Sequence, residues 1–467
     1  MSTPGDILIR NVEVGAMKGL DILVRDGVIV EIGDITHIPV EQLDGHGGAL
    51  LPGLHDHHIH LLALASERSS IHVGPDSTPG AAAFAEKLRA ASRAAPGKFL
   101  RATQYHESVA GPLDRDVLDQ LVPLSPLRVQ YRTGSLWVLN SAALERVLPA
   151  NGWPDCVERD SAGRPTGRIW RGDAWLKARL NAPPPDLASV GKELARMGIT
   201  GVTDTSVTTG AAEADIFSAA VTAGSLPQRL VLMSGEALPS SPDKAYSIGP
   251  VKILLDEHAL GDLVPMLDKI AQARQWGRNV AVHCVTAAEL AFTLAAFDEA
   301  GARLGDRIEH GGVIDDEALH VIHRMGLAVV TQPAFIAERG DIYMEEVDEN
   351  DQAFLYRCGS LIAQGIPVAA SSDAPYTNPD PWHAIVAAIE RRTKSGKLLG
   401  AAERISSQMA LNLFLRKADN LSASREIHVG EAADFCLLHS PLREALKKPD
   451  KAHVAATIVA GHVIYRA

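Results

Sequence analysis

Four cysteines in 467 residues, Cys156, Cys284, Cys358 and Cys436, stand far apart with no CxxC spacing, which excludes a disulfide framework and a thiolate zinc knot. Their expected use is as small buried hydrophobes, with Cys284 set apart because it directly follows a candidate ligand. Basic runs are missing too. With a net charge of −12 and a pI near 5.8, the chain lacks the clustered Lys and Arg that a nucleic-acid or anionic-membrane surface needs. No apolar segment reaches the roughly 18 residues of a membrane span. The start, MSTPGDILIRNVEV, has neither the basic head nor the apolar stretch of a signal peptide, so a cytoplasmic location is expected. What remains is an ordinary globular composition, 46% hydrophobic and 22% charged with 39 Gly, in a chain long enough for roughly two or three domains.

Residues 6–50 alternate short apolar runs with turn residues, ILIRNVEV and then LDILVRDGVIVEIG with a turn at Arg25-Asp26-Gly27, and read as a small antiparallel sheet. The pattern returns at the far end in AADFCLLH and HVAATIVAGHVIYRA, the latter turning at Ala460-Gly461. Placing both ends in one β-sandwich removes open strand edges. Between them, apolar strands alternate with amphipathic helices. Strands are expected near Leu54–His60, Thr200–Ser206, Arg229–Ser234, Val251–Asp256, Asn279–Val285, Arg307–Gly311, Leu327–Pro333 and Pro367–Asp373. Helices are expected in ALGDLVPMLDKIAQARQWG and in TAAELAFTLAAFDEAG, where Thr286 is the N-cap.

Eight such units fit an α/β fold, a parallel (β/α)8 TIM-like barrel, with catalytic residues at the strands' carboxyl ends. The stretch after the first strand is too long for one helix. It holds a helical piece at 80–94, strand-like FLRATQY and LRVQYR, a Trp-bearing turn and a Pro-rich return at 182–185. The expected organisation is a split sandwich (1–52 and 426–467), a barrel (53–67 and 186–425) and an insertion (68–185) that shapes the pocket.

The chemistry begins at LPGLHDHHIHL. His58 and His60, one residue apart at the end of a buried strand, point to one side and can converge on a cation. His55 and His57 alternate to the other side. His283, His310 and Asp373 end the fifth, sixth and eighth strands, and Lys252 lies on the fourth. Singly, each has an ordinary reading: a core histidine, a capping group, an N-cap before Pro375, a lysine snorkelling to solvent. Their joint placement after strands points to metal binding. A neutral lysine in such a place can take up CO2 to give a carbamate able to bridge two metals.

In that order and on those strands, His58, His60, Lys252, His283, His310 and Asp373 closely resemble the amidohydrolase superfamily, together with the split sandwich and the late GEAADFCLLH. Within it, LWVLNSAAL, GRPTG, VTQP and SSDAPYTNPDPW are most similar to the branch of N-substituted formamide deformylases and related metal-dependent hydrolases. The resemblance implies two divalent ions. His58 and His60 would bind the more buried one and His283 and His310 the more exposed one, with Lys252 bridging as a carbamate and Asp373 as ligand and general acid/base. Zinc is the first expectation because imidazole and oxygen donors suit it, and manganese, iron and cobalt suit the same donors.

The implied reaction is hydrolysis of an amide-type C–N bond, in an amide, N-acyl or formamide small molecule, by a metal-bound hydroxide. Peptide bonds are not the expected target. Three departures from the branch leave the substrate open: Ser135 after Gly134 where relatives carry His, Asp256-Glu257 where the lysine strand continues into Asp-Gly, and Cys284-Val285-Thr286 after His283 in place of a Gly-Asp pair. In the insertion His106, Glu107, Arg132, Trp137, Trp170 and Arg171 are candidate substrate contacts by residue type, suited to a ring and a carboxylate, or else ordinary packing and solvated charge. The alternatives are decarboxylation or deamination on the same centre, the latter disfavoured by Lys252, and a non-catalytic scaffold of the same fold. Barrels of this kind often pair, so a homodimer is one expected assembly.

Overall fold

The computed structural model describes residues 5–36, 39–149, 152–180, 184–241 and 243–467. Of the expected Pro-rich return, Ala182 and Pro183 lie outside the described residues. The chain divides into two units, Met1–Leu64 with Leu187–Ala467, and Ala65–Asp186.

The larger unit is built on eight parallel strands in sequence order: β1 (Leu54–Ile59), β2 (Ile199–Asp204), β3 (Arg229–Ser234), β4 (Ser247–Ile253), β5 (Val280–Cys284), β6 (Arg307–His310), β7 (Ala328–Thr331) and β8 (Val368–Ala370). Both faces of such a sheet are covered, so most of these residues are buried and β-branched types recur, as in Ile-Thr-Gly-Val-Thr-Asp of β2. The seam between β8 and β1 is bonded just beyond the carboxyl end of β8: Asp373 N–H donates to His58 O at 2.7 Å and His60 N–H to Ala374 O at 2.9 Å. The barrel's last join is therefore made by the residues that carry the chemistry.

The helices after the later strands are α1 (Val264–Gln275), α2 (Ala287–Ala300), α3 (Asp316–Met325), α4 (Ala334–Glu346) and α5 (Pro381–Glu390). Thr286 N-caps α2, its hydroxyl accepting from Glu289 N–H while the Glu289 carboxylate accepts from Thr286 N–H, a capping box. Loss of such a cap costs about 1 kcal/mol. Asp315 caps α3, which ends at Gly326 with φ 68°, the left-handed stop expected of glycine.

The termini supply two four-stranded sheets. One orders Val28–Gly33, Met17–Arg25, Ile7–Val14 and Glu41–Asp44; the other orders His462–Arg466, Val454–Val459, Phe435–Leu438 and Leu50–Pro52. They share one core, in which Ile7, Ile9 and Ile22 from the beginning of the chain meet Phe435 and Ile458 from its end. Both hairpins turn where expected, through Asp26-Gly27 and Ala460-Gly461, all four with positive φ. Gly461 is required twice over, since a Cβ there would lie 2.3 Å from the Gly5 carbonyl oxygen.

The smaller unit is a six-stranded sheet, ordered Val157–Arg159, Pro165–Trp170, Leu136–Leu139, Leu127–Tyr131, Leu100–Tyr105, Ile71–His72, with helix Ala81–Ala94 packed through Phe84 and Leu88. Trp137 lies in the strand Leu136–Leu139, fully buried and paired on both sides. Its four consecutive apolar residues are those of a central strand. In the larger unit, the fourth barrel strand ends at Ile253 and not at Asp256. Asp256 instead accepts from His258 N–H and starts a short 3-10 turn, Glu257–Ala259.

Candidate metal centre

Register explains which side chains enter the barrel. Lys252 pairs with Ala281 and Ala281 with Arg307, while His283 pairs with Glu309; residues paired across neighbouring strands share a side. By the same rule His310, paired with Cys284, belongs to the outer side. Its φ of 71° ends the strand in the left-handed region and re-aims the ring, which lies 4.5 Å from the His283 ring and 4.6 Å from the His58 ring, centroid to centroid. Asp373 is also left-handed, with φ 58°. Two strained non-glycine residues at one site are the backbone signature of a functional constraint.

His58 Nε2 and His60 Nε2 stand 3.4 and 3.3 Å from Asp373 Oδ1, and the ligand atoms of these three residues all lie within 4.8 Å of one another. Each ring is held from behind. His58 Nδ1 bonds the Glu309 carboxylate, which can only accept, so the proton is on Nδ1 and Nε2 offers its lone pair forward. His310 Nδ1 bonds Gln332 Oε1 at 2.9 Å, an orientation fixed because the Gln332 amide NH2 donates to Ser371 Oγ at 3.0 Å. His60 Nδ1 lies 3.0 Å from Ser206 Oγ. Glu309 is anchored in turn by Arg307, which reaches the His57 carbonyl at 3.1 Å.

The electrostatics follow from burial. Desolvation, then the charge of Lys252, holds His58 well below its ordinary range and brings His283 down to about 4. Desolvation, then the neighbouring His58 and His283, does the same for His310. Burial also lowers Lys252, despite the opposing pull of Glu309 and Asp373, and raises Asp373, despite the opposing influence of the nearby His60. Asp56 rises to about 7 for the same reason, although Ser372 and the His58 N–H bond it. Imidazoles kept neutral are imidazoles ready to ligate. Three buried atoms here have no hydrogen-bond partner among the described residues: His58 Nε2, Asp373 Oδ1 and Lys252 Nζ. A basic nitrogen facing a carboxylate oxygen, both desolvated and unpaired, is the environment a cation satisfies.

Of the expected ligands, His58, His60 and Asp373 form the tight group, His283 and His310 join it through ring contacts, and Lys252 through its charge. Cys284 turns away, its Sγ lying 3.2 Å from Thr293 Oγ1 of α2, and burial pushes its thiol up to about 12, so it stays protonated. His55 and His57 stack on each other 4.5 Å apart, outside the three-residue group.

Glu309, Arg307, Gln332 and Ser206 were not singled out in the sequence reading. Two signals were there to find: Gln332 lies in the VTQP motif, and Arg307 and Glu309 alternate through buried Ile308, a charged pair on the inner side of a core strand. In the smaller unit, Trp137 is 3% exposed, donates from its indole to Asp173 at 2.8 Å and lies under Arg128, which makes it a core residue of that sheet. Trp170 bonds Glu158 at 3.0 Å, His106 caps helix Glu107–Ala110, Tyr131 reaches Glu107 at 3.4 Å, and Arg132 and Arg171 are exposed.

Fold and donor set define the class, a (β/α)8 enzyme fold with a candidate metal site at the strands' carboxyl ends. A family model described as "Amidohydrolase family" matches residues 41–465, so the chain belongs to the amidohydrolase family and is a hydrolase by that membership. It is 24% identical over 516 residues to the Bacillus subtilis (strain 168) protein YtcJ, which bears an amidohydrolase name, with 95% of each chain covered. Among solved structures it is similar to an uncharacterized metal-dependent hydrolase from Pyrococcus horikoshii OT3, with a TM-score of 0.76, 17% identity and 98% and 100% of the two chains covered. A second, from Pyrococcus furiosus, has a TM-score of 0.73, 18% identity and 96% and 100% coverage. No helix among the described residues is long and apolar enough to cross a membrane.

Proposed function

We propose that the chain hydrolyses a non-peptide amide-type C–N bond, of an amide, N-acyl or formamide compound of small size, with His58, His60, Lys252, His283, His310 and Asp373 holding two divalent ions, zinc before the others. The observation that carries this reading is the set of buried, unpartnered ligand atoms at the head of the barrel, His58 Nε2, Asp373 Oδ1 and Lys252 Nζ. When bound, such ions supply Lewis acidity toward a water and toward the substrate carbonyl. Lys252, desolvated and drawn toward its neutral form, is the amine able to add CO2, and the carbamate would turn a repulsive ammonium into a bridging anion.

Asp373 does the proton work in this reading. Its carboxyl, raised by burial, takes a proton from the attacking water at Oδ1 or Oδ2 and passes it to the leaving nitrogen. Glu309 and Gln332 hold the rings of His58 and His310 in one tautomer while this happens.

Metal content per chain on freshly purified protein, repeated on Lys252→Ala, tests the reading. Close to two ions, falling sharply in the variant and partly restored with activity by a short carboxylic acid, is the expected result. One ion or none, unchanged in the variant, would reject the binuclear hydrolytic centre and redirect the search to deamination or decarboxylation.

A further inference from the structure

Beside the metal centre stands a cation, Arg339, that makes no ion pair with a carboxylate among the described residues, Asp373 acting on it only at a distance. Helix α4 places Phe335, Arg339 and Tyr343 on one face by their spacing of four. Phe335 and Tyr343 both stack on Tyr356, at 5.1 and 5.9 Å with planes inclined by 24° and 28°. Tyr356 is fixed close to His310, its N–H donating to the Gly312 carbonyl at 3.0 Å. On this platform Arg339 lies over the Phe335 ring at 5.1 Å, and its Nη2 donates to the Tyr376 carbonyl at 3.2 Å. Tyr376 comes directly from the metal centre: its N–H donates to the Asp373 carbonyl at 2.9 Å, and its ring meets His60 edge-on at 5.8 Å. Its side chain is 55% exposed.

The neighbouring acid does not serve Arg339. Glu338 turns to His383 at 3.3 Å and to the Asn378 N–H at 3.0 Å, so that it ties down the loop after β8. A guanidinium has five N–H donors in a planar fork, and here one carbonyl engages a single nitrogen. The remaining edge is exposed, pre-oriented by the ring beneath it, and suited to a carboxylate.

We propose that Arg339 is a specificity-determining residue that binds a carboxylate on the substrate, with the exposed Tyr376 ring against an adjoining aromatic group. The substrates are then N-acyl or N-formyl compounds that carry a carboxylate near a ring. Phe335 and Tyr356, both buried, act only by holding Arg339 in place. The assignment rests on the hydrolase reading above, and its test separates the two.

N-formylphenylalanine and its neutral carboxamide share the scissile formamide and the ring and differ in the anion alone. Calorimetric titration of each into purified protein that carries Asp373→Asn to suppress turnover, with position 339 as in wild type, Arg339→Gln or Arg339→Lys, reads binding alone. With Arg339 in place the protein is expected to bind the acid about 10–100-fold more tightly than the carboxamide, Gln to bring that ratio near one, and Lys to keep part of it. Equal or absent affinity for the two compounds with Arg339 in place overturns the assignment, as does a loss for both in equal proportion in the Gln variant, which would leave Arg339 as a tether of the Tyr376 loop. Hydrolysis of the same pair by wild type is scored separately. Acid preference without turnover would reject the hydrolase reading while keeping Arg339 as an anion site, and turnover without acid preference would do the reverse.

Discussion

At the amino end of β6, Asp306 is fully buried and wholly satisfied: it takes both forks of Arg274, the N–H of Val280 at 2.9 Å and that of Arg303 at 2.8 Å. A few residues along, at the carboxyl end, His310 is buried in a strained backbone with Nδ1 3.9 Å from Asp373 Oδ2, while Asp373 Oδ1 has no hydrogen-bond partner among the described residues. In the lining of the cavity of about 860 Å³ at the amino end, Arg229 and Arg425 likewise meet Asp434, and Lys417 meets Glu431. At the amino end the buried carboxylates Asp306 and Asp434 are each paired with an arginine and so stabilise the fold. The other end leaves donor atoms unpaired, at a cost in stability, because they await a cation.

Substitutions at the two ends should therefore fail in different ways. The largest effect is expected from Asp373→Asn, which keeps the shape and the tolerated left-handed backbone but removes the proton acceptor. Steady-state kinetics should show kcat falling by about 10²–10⁴-fold, with the metal-free protein melting no lower than wild type. A variant that lost stability instead would place Asp373 with the structural end. Asp306→Ala should do the opposite, losing about 3–5 kcal/mol in denaturant unfolding because Arg274 is left without its partner, while the folded fraction keeps its metal content. Gln332→Ala sharpens the contrast, since it touches no substrate. Freeing the His310 ring should weaken metal affinity by about 10–100-fold, measured by competition with a chelating dye, and unchanged affinity would remove Gln332 from the site's support.

The smallest effect is a pH dependence of the metal-free protein. His55, His57, His58 and His310 are held well below their ordinary value and His283 at about 4, so between about pH 7 and 4 they take up protons in the unfolded chain and not in the folded one. Stability from these groups is lost as pH falls through the unfolded value near 6.5. Asp56, Asp373 and His383 act in the opposite sense, since each is raised and binds its proton preferentially when folded. Five groups against three make the net sign downward on acidification, and calorimetric melting from pH 7 to 5 should show it. A flat or rising profile would mean that these histidines are not neutral in the apoprotein.

The barrel was legible because most of its strands are short runs rich in apolar residues that alternate with helical segments, as burial on both sides imposes on a parallel sheet. His58 and His60 were legible for a local reason as well, the two-residue period of a strand. The limits show at particular residues. Trp137 looked like a pocket aromatic, but whether an indole faces a ligand or a sheet core depends on what packs over it, and here Asp173 and Arg128 do. Arg339 and Tyr376 were not among the candidates, because what joins them is a side-chain contact to a carbonyl 37 positions away.

Strand order and the candidate metal positions were thus determined by the sequence alone, because hydrophobic period and residue type are local properties of the chain. The tertiary structure decided the rest. It turned His310 inward against its register through a positive φ, set Glu309 and Gln332 behind the two histidine rings, and brought Arg339 to the rim through the Tyr376 carbonyl. Each of these joins residues from different strands, helices or loops, and only closure of the barrel sets their distance and direction.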